Sequence, residues 1–204
     1  MGAHLEILVE EPSMEAFLRE VLAKLVPEEA SFDVHQFQCK QQLLNKLPAR
    51  LAGYAPWLPL DWRILVLVDR DQDDCHQLKQ QLEAAAARKG LRTRSQDAVN
   101  WQVVNRIAIE ELEAWFFGDM DAVRSAYPRV PSTLEQRRGY RDPDAIQGGT
   151  WEAFERILQR AGYFSEGLPK IQVAREIGRH VDPQRNRSHS FGVFRDVILE
   201  LVNS

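Results

Sequence analysis

Hydrophobic and polar positions follow two rhythms along the first half of the chain. His4–Val9 is a short apolar run, and after Pro12 and Ser13 the residues Phe17, Leu18, Val21, Leu22 and Leu25 recur at spacings of three and four, predicting a helix over residues 14–25. Pro12 suits the first turn of that helix, where a missing N–H costs nothing. Phe32, Val34 and Phe37 alternate through residues 31–38, a second strand, and residues 40–52 form a modest helix before a proline-rich loop over 53–62. Residues 64–68 carry no polar side chain, the pattern of a central parallel strand covered on both faces. A helix over 73–89 ends at Gly90, and residues 91–93 form a short edge piece. Residues 101–109 read as another strand, passing directly into a helical segment over 110–117 that closes at Gly118.

After Asp119 the rhythm changes. Pro128, Pro131, Pro143 and the pair Gly148–Gly149 make residues 127–149 loop-rich with short helices. Three amphipathic helices follow: 150–164 with Thr150 as N-cap, 169–181 starting at Pro169, and 190–202 with Ser190 as N-cap and Phe191, Phe194, Val197, Ile198 and Leu201 on one face. Strand–helix–strand–helix order predicts an α/β domain over residues 1–120, an open and mostly parallel sheet flanked by helices. Residues 121–204 are expected as a helical extension packed on it. There is no internal repeat or low-complexity tract.

Composition narrows the classes. A chain of 204 residues, 44% hydrophobic and 27% charged, buries an ordinary globular core. A net charge of −4 and a pI near 5.8 give no global basic field for nucleic acid. The local run EQRRGYR over 135–141 is either a basic patch or a solvated loop. Cys39 and Cys75 lack CxxC spacing, as in a reducing compartment, and the five histidines form no HExxH or HxH pattern, which speaks against a histidine-built zinc site. The first residues lack the pattern of a signal peptide, and no window approaches the ~20 apolar residues of a membrane span. A soluble cytoplasmic protein is the expectation.

The acids are less ordinary. Open α/β sheets place functional groups at the carboxyl ends of their strands. Glu10 and Glu11 lie at the first such end, Asp69 and Asp71 at the third, and Glu110 and Glu113 follow the last. In an extended segment Asp69 and Asp71 would point to the same side. Converging carboxylates cannot all stay ionised unless a cation neutralises them. Oxygen-only ligands select Mg²⁺ or Mn²⁺, the ions used to activate water in phosphodiester cleavage. Each acid also has a structural reading: Glu10, Glu11, Glu110 and Glu111 as acids at positive helix ends, Asp73 or Asp74 as an N-cap. Glu113 fits that reading least, since Leu112, Ala114, Trp115, Phe116 and Phe117 surround it with an apolar turn.

The stretches ILVEEPSMEAFL (7–18) and LVLVDRDQDD (65–74) resemble the opening and DxD motifs of Toprim domains. With AIEELEAWFFGD (108–119) and residues 170–194, the chain is similar to a small Toprim-like bacterial family. That family is akin to the nuclease half of OLD (overcoming lysogenisation defect) proteins and is often encoded near AAA-type ATPases in phage-defence loci. The resemblance implies Glu10 as metal ligand or general base, Glu15 as the second acid of its motif, Asp69 and Asp71 as metal ligands, and Glu113, the acid of the Glu-Ala-Trp segment, joining Glu10 or Glu11 and the two aspartates around one or two metals. It further implies Mg²⁺ or Mn²⁺ as cofactor and nucleic acid as substrate. Any AAA-type ATPase would be a separate partner, because the chain has no GxxxxGK[ST] loop. Glu11 stands where the family has glycine, which either distorts the site or shifts ligation from Glu10 to Glu11. Lys170 is the expected cationic partner of the transition state, or else an exposed lysine at a helix start. Ser188 and Ser190 contact phosphate or cap the last helix, His189 is a candidate general acid, and Trp115 and Phe116 stack on bases or belong to the core. The expected activity is a metal-dependent nuclease. The alternatives are a non-catalytic Toprim-shaped subunit docking an ATPase or effector, and a hydrolase of small phosphoesters.

Overall fold

A computed structural model describes residues 2–202. Strands β1 (His4–Val9), β2 (Ser31–Gln36), β3 (Trp62–Asp69) and β4 (Val103–Ala108) form one parallel sheet in the order β2-β1-β3-β4. Helices α1 (Pro12–Leu25), α2 (Lys40–Tyr54) and α3 (Cys75–Ala87) connect them. The right-handed rule for such crossovers sends α1 to one face and α2 and α3 to the other. Alternate side chains obey this division. Ile7, Val9, Leu65, Leu67 and Val104 join the core under α1, while Leu8, Ile64, Val66, Val68 and Val103 join the core under α2 and α3. Two covered faces explain why β3 is apolar at consecutive positions.

The helices α4 (Glu113–Gly118), α5 (Met120–Ala126), α6 (Thr150–Arg160), α7 (Lys170–His180) and α8 (His189–Val202) follow, with three short 3-10 turns between α5 and α6. They share one core with α1: Phe17 meets Trp115 and Phe116, Trp115 meets Phe191 and Phe194, and Phe116 meets Phe154. Helix α7 lies close along α1 because Gly178 has no side chain; an added Cβ would stand 3.1 Å from the Phe17 carbonyl oxygen. Lys24 Nζ closes the far end by donating to the carbonyls of Gly178, Arg179 and Val181 at 2.9, 2.7 and 2.7 Å. Among the described residues no helix is long and apolar enough to cross a membrane.

Several helix ends differ from the expectation, each for a local reason. Helix α4 begins at Glu113 rather than 110, because Glu110 takes φ +62 and breaks the turn. Helix α3 begins after Asp74, whose carboxylate accepts the Gln77 amide at 2.8 Å. Gly149, at φ +84, precedes α6, and Thr150 is its first residue rather than its cap. The capping acceptor comes from elsewhere: Glu111 Oε2 takes the Trp151 amide and the Thr150 hydroxyl, both at 2.8 Å. Helix α6 stops at Arg160, short of 164, with Gly162 at φ +79 beyond it. Helix α8 is capped by Ser188 Oγ, which accepts the Phe191 amide at 3.1 Å, so Ser190 sits inside the first turn.

Candidate active site

β1 and β3 are neighbours at the centre of the sheet, and their following connections run to opposite faces. Their carboxyl ends therefore border the crevice where open α/β sheets hold ligands. Glu10 directly follows β1, Asp69 ends β3, and Glu113 opens α4 five residues after β4. All three are buried, at 6%, 4% and 3% exposure. Glu10 Oε2 and Asp69 Oδ1 are buried without a hydrogen-bond partner.

Burial and mutual repulsion hold these groups toward the neutral form. Burial first, then the charges of Glu10, Glu11, Glu113 and Asp71, push the Asp69 carboxyl well above its usual range. Burial pushes Glu113 up to about 8, opposed by the Lys170 ammonium and reinforced by Glu111 and Glu11. Glu10 rises to about 7 through burial, against the pull of Lys40 and with the push of Asp71. The structure thus gathers Glu10, Asp69 and Glu113 into one electrostatic unit.

Asp71 and Glu11 form its rim. The strand ends at Asp69 and Asp71 takes φ +50, so the shared side expected of an extended segment does not apply. Asp71 is placed instead by its amide, which donates to the Glu110 carbonyl at 2.9 Å, and by Lys40 Nζ at 2.6 Å from its carboxylate. Glu11 has an extended backbone, φ −143 and ψ 159, which any residue adopts, so glycine is not required there. Its carboxylate accepts from the Ser13 hydroxyl, leaving Glu10, with Oε2 buried and unpartnered, as the deeper of the two acids. Glu15 is held by Arg19 at 2.8 Å, one turn along α1.

Lys40 was not singled out from the sequence. It is the first residue of α2, just past the carboxyl end of β2, and also reaches Asp73 at 2.8 Å and the Arg70 carbonyl at 3.1 Å. A lysine immediately beyond a strand's carboxyl end was the available signal. Lys170, at the start of α7, lies with Nζ 4.1 Å from the Trp151 ring centre, and its charge reaches Glu113. Ser188 and Ser190 both donate to Asp144 Oδ1 at 2.8 Å, and Ser190 accepts from the Trp115 indole at 2.8 Å. These hydroxyls fasten α8 and are not available to phosphate. His189 is exposed, its amide 2.6 Å from Asp144 Oδ2. Trp115 and Phe116 are buried core residues rather than stacking platforms.

A cleft of about 590 Å³, lined by Asp71, Gln72, Glu110, Glu111 and Gly148, opens beside the acids. Residues 145–147 wall it from a second cleft of about 470 Å³ that carries Arg138 and Arg156. Residues 9–199 match the family described as "Domain of unknown function (DUF4276)". The chain belongs to this family. No curated protein and no solved structure matches the chain. The DUF4276 match takes in Glu10, Lys40, Asp69, Asp71, Glu113 and Lys170, and therefore the whole crevice.

In this DUF4276 chain the crevice residues offer the oxygen-only donors that a hard divalent cation takes, while no three of them bring ligand atoms within 4.8 Å of one another. The buried donors are carboxylate oxygens, two of them unpartnered, and each becomes less repelled once a positive charge is shared among them. Glu10 and Asp69 would hold such an ion, with Glu113, Asp71 and Glu11 adjoining.

Proposed function

We propose that this protein is a Mg²⁺- or Mn²⁺-dependent phosphodiester hydrolase, a Toprim-type nuclease acting on DNA or RNA. The observation that carries the reading is the set of buried acids Glu10, Asp69 and Glu113, with Glu10 Oε2 and Asp69 Oδ1 unpartnered at the sheet's switch point. The ordered motifs over 7–18 and 65–74 that resemble Toprim add support. A bound divalent ion supplies charge to a phosphoryl oxygen and lowers the pKa of an attacking water. The chain's own residues do the rest. Without an ion Glu113 is pushed up to about 8; a cation shared with Glu10 and Asp69 would draw it toward the carboxylate, so that it joins them around the metal. Lys170 offers its ammonium to the phosphate, and Arg138 and Arg156 extend a cationic track for the strand beyond residues 145–147. ATP dependence, if the chain works with an AAA-type ATPase, enters through that partner.

A second reading draws on the acidic rim. Asp71, Glu110, Glu111 and Glu152 line the nearer cleft and repel an extended polyanion, which favours a small phosphate ester as substrate. The test is cleavage of plasmid DNA and total RNA with Mn²⁺, comparing the native chain with Asp69→Asn and Lys170→Ala. Metal-dependent cleavage by the native chain, lost in Asp69→Asn, supports the nuclease. Turnover of small esters alone selects the second reading. Absence of both, with no Mn²⁺ bound at millimolar concentration, leaves a non-catalytic docking subunit.

A further inference from the structure

A second set of ligating side chains lies on the α2 side of the sheet, toward the amino-terminal ends of the strands. In the parallel register of β1 and β2, His4 stands beside Ser31, Glu6 beside Asp33, and Leu8 beside His35. Residues two apart share a face, so His4, Glu6, Ser31, Asp33 and His35 all project toward α2. Local spacing gave no sign of this, because the partners are 27 to 29 residues apart.

His4 and Glu6 are each 7% exposed. His4 Nδ1 lies 2.7 Å from Ser31 Oγ, a bond that fixes the ring; in the tautomer in which Nδ1 donates to that hydroxyl, Nε2 keeps its lone pair. That Nε2 is buried and makes no hydrogen bond, yet it stands 3.6 Å from Glu6 Oε1 and 3.9 Å from Asp33 Oδ2. Those separations are too long for direct hydrogen bonds. They are close to the roughly 3.3–3.6 Å between ligand atoms in a tetrahedral ion with bonds of about 2.0–2.2 Å. The other Glu6 oxygen is already committed: Tyr54 donates to it at 2.8 Å and His35 Nε2 lies 2.5 Å away. Such outer partners orient a ligating carboxylate, as Ser31 orients the histidine.

We infer that the chain binds one zinc-class divalent ion through His4 Nε2, Glu6 Oε1 and Asp33 Oδ2, with the fourth position open to water. An imidazole among the donors selects zinc, cobalt or nickel over magnesium. Asp33 is exposed, which opens the site to solvent, and a cleft of about 290 Å³ lined by Glu6, Arg50, Gly53, Tyr54 and Trp57 borders Glu6. Glu6 lies four residues before Glu10 on one extended segment, roughly 13 Å away, so this site is separate from the carboxylate crevice. Its ligands come from β1 and the edge strand β2, and the ion clips the two together.

The test uses untagged, EDTA-stripped full-length protein titrated with ZnCl₂ by calorimetry and with CoCl₂ by visible absorption, alongside Asp69→Asn. One equivalent should bind with a dissociation constant of about 1 μM or tighter, unchanged in Asp69→Asn, and Co²⁺ should give the intense visible bands of a tetrahedral centre. Asp33→Asn, at an exposed position that leaves the fold intact by circular dichroism, should weaken binding at least about 10-fold, and His4→Gln should abolish it. Folded native protein that takes up no zinc, or zinc binding indifferent to both Asp33→Asn and His4→Gln, would overturn the site. Binding lost only in Asp69→Asn would assign the zinc to the crevice and overturn it equally.

Discussion

Asp119 and Asp69 are both aspartates in the core, 2% and 4% exposed, and the protein treats them in opposite ways. Asp119 caps α5 through the Ala122 amide at 3.2 Å. It also accepts the Asp182 amide at 2.8 Å and the Arg185 guanidinium at 2.8 and 3.0 Å. Asp69 has an orphaned oxygen and four acids pressing on it. The glutamates repeat the contrast. Although burial raises Glu83, hydrogen bonds from Asn105, Ser95, Thr93 and Lys79 outweigh it and bring the carboxyl down to about 2, while Glu113 is held at about 8. A buried acceptor left unmade costs roughly 1–3 kcal/mol. The fold meets that need at Asp119, and partners the half-buried Glu83 in the same way. In the crevice it leaves the need open to a ligand from outside.

The comparison breaks most sharply on a pair of substitutions. Asp119→Ala removes a cap and strands Arg185 and two amides, and should cost about 3 kcal/mol in denaturant unfolding. Asp69→Asn replaces a carboxyl already pushed toward its neutral form by a neutral amide, and in metal-free buffer should leave the melting temperature unchanged or higher. Its metal-dependent cleavage should nevertheless fall about 100-fold or more. Equal destabilisation by both would mean that Asp69 is a structural acid like Asp119.

How much of this could be read from the chain follows from the range of the interactions. β3 announces itself because burial on both faces writes an unbroken apolar run over residues 64–68, β1 more weakly through Ile7, Leu8 and Val9, and α1 because Phe17, Leu18, Val21 and Leu22 mark one stripe. Glu10, Asp69 and Glu113 were legible because strand ends are predictable from such runs. Lys40, Glu111 and Asp119 were not, since each acts on residues far away in sequence: Asp71, Trp151 and Arg185. His4, Glu6 and Asp33 were hidden for the same reason, as only the parallel register of β1 and β2 joins them. Asp71 lies at the crevice rim, but not through the extended pleat expected of it, which ends two residues earlier.

A smaller effect separates the two kinds of acid by pH. Glu10 and Glu113 have folded-state values of about 7 and about 8, above the ordinary 4.5. The stability they contribute is complete below about pH 4.5 and is lost as pH rises through 7 to 8. In EDTA, unfolding free energy should therefore drop between pH 5 and 8.5. Glu113→Gln should flatten part of that slope, and 10 mM Mg²⁺ should restore the alkaline side, because a bound cation favours the ionised carboxylates. A slope indifferent to both Glu113→Gln and Mg²⁺ would remove the crevice acids from the argument.

Glu83 should show the mirror image at the acid end. Its folded-state value of about 2 lies below the ordinary 4.5, so its contribution is present above that value and lost as pH falls toward 2. The carboxylate accepts the Asn105 amide at 2.9 Å and pairs with Lys79 at 3.0 Å, tying α3 to β4. Glu83→Gln keeps an acceptor for Asn105 but loses the charge that Lys79 and the Ser95 hydroxyl meet, and should cost about 1 kcal/mol at pH 7. The same substitution should make the acid limb between pH 4 and 2 shallower while leaving the alkaline limb and the Mg²⁺ response untouched. That separation, one limb moved by the half-buried Glu83 and the other by the buried Glu113, is what two independent acid systems require. A single substitution that shifts both limbs would show that the sheet couples them, and the division between structural and ligand-ready acids would have to be redrawn.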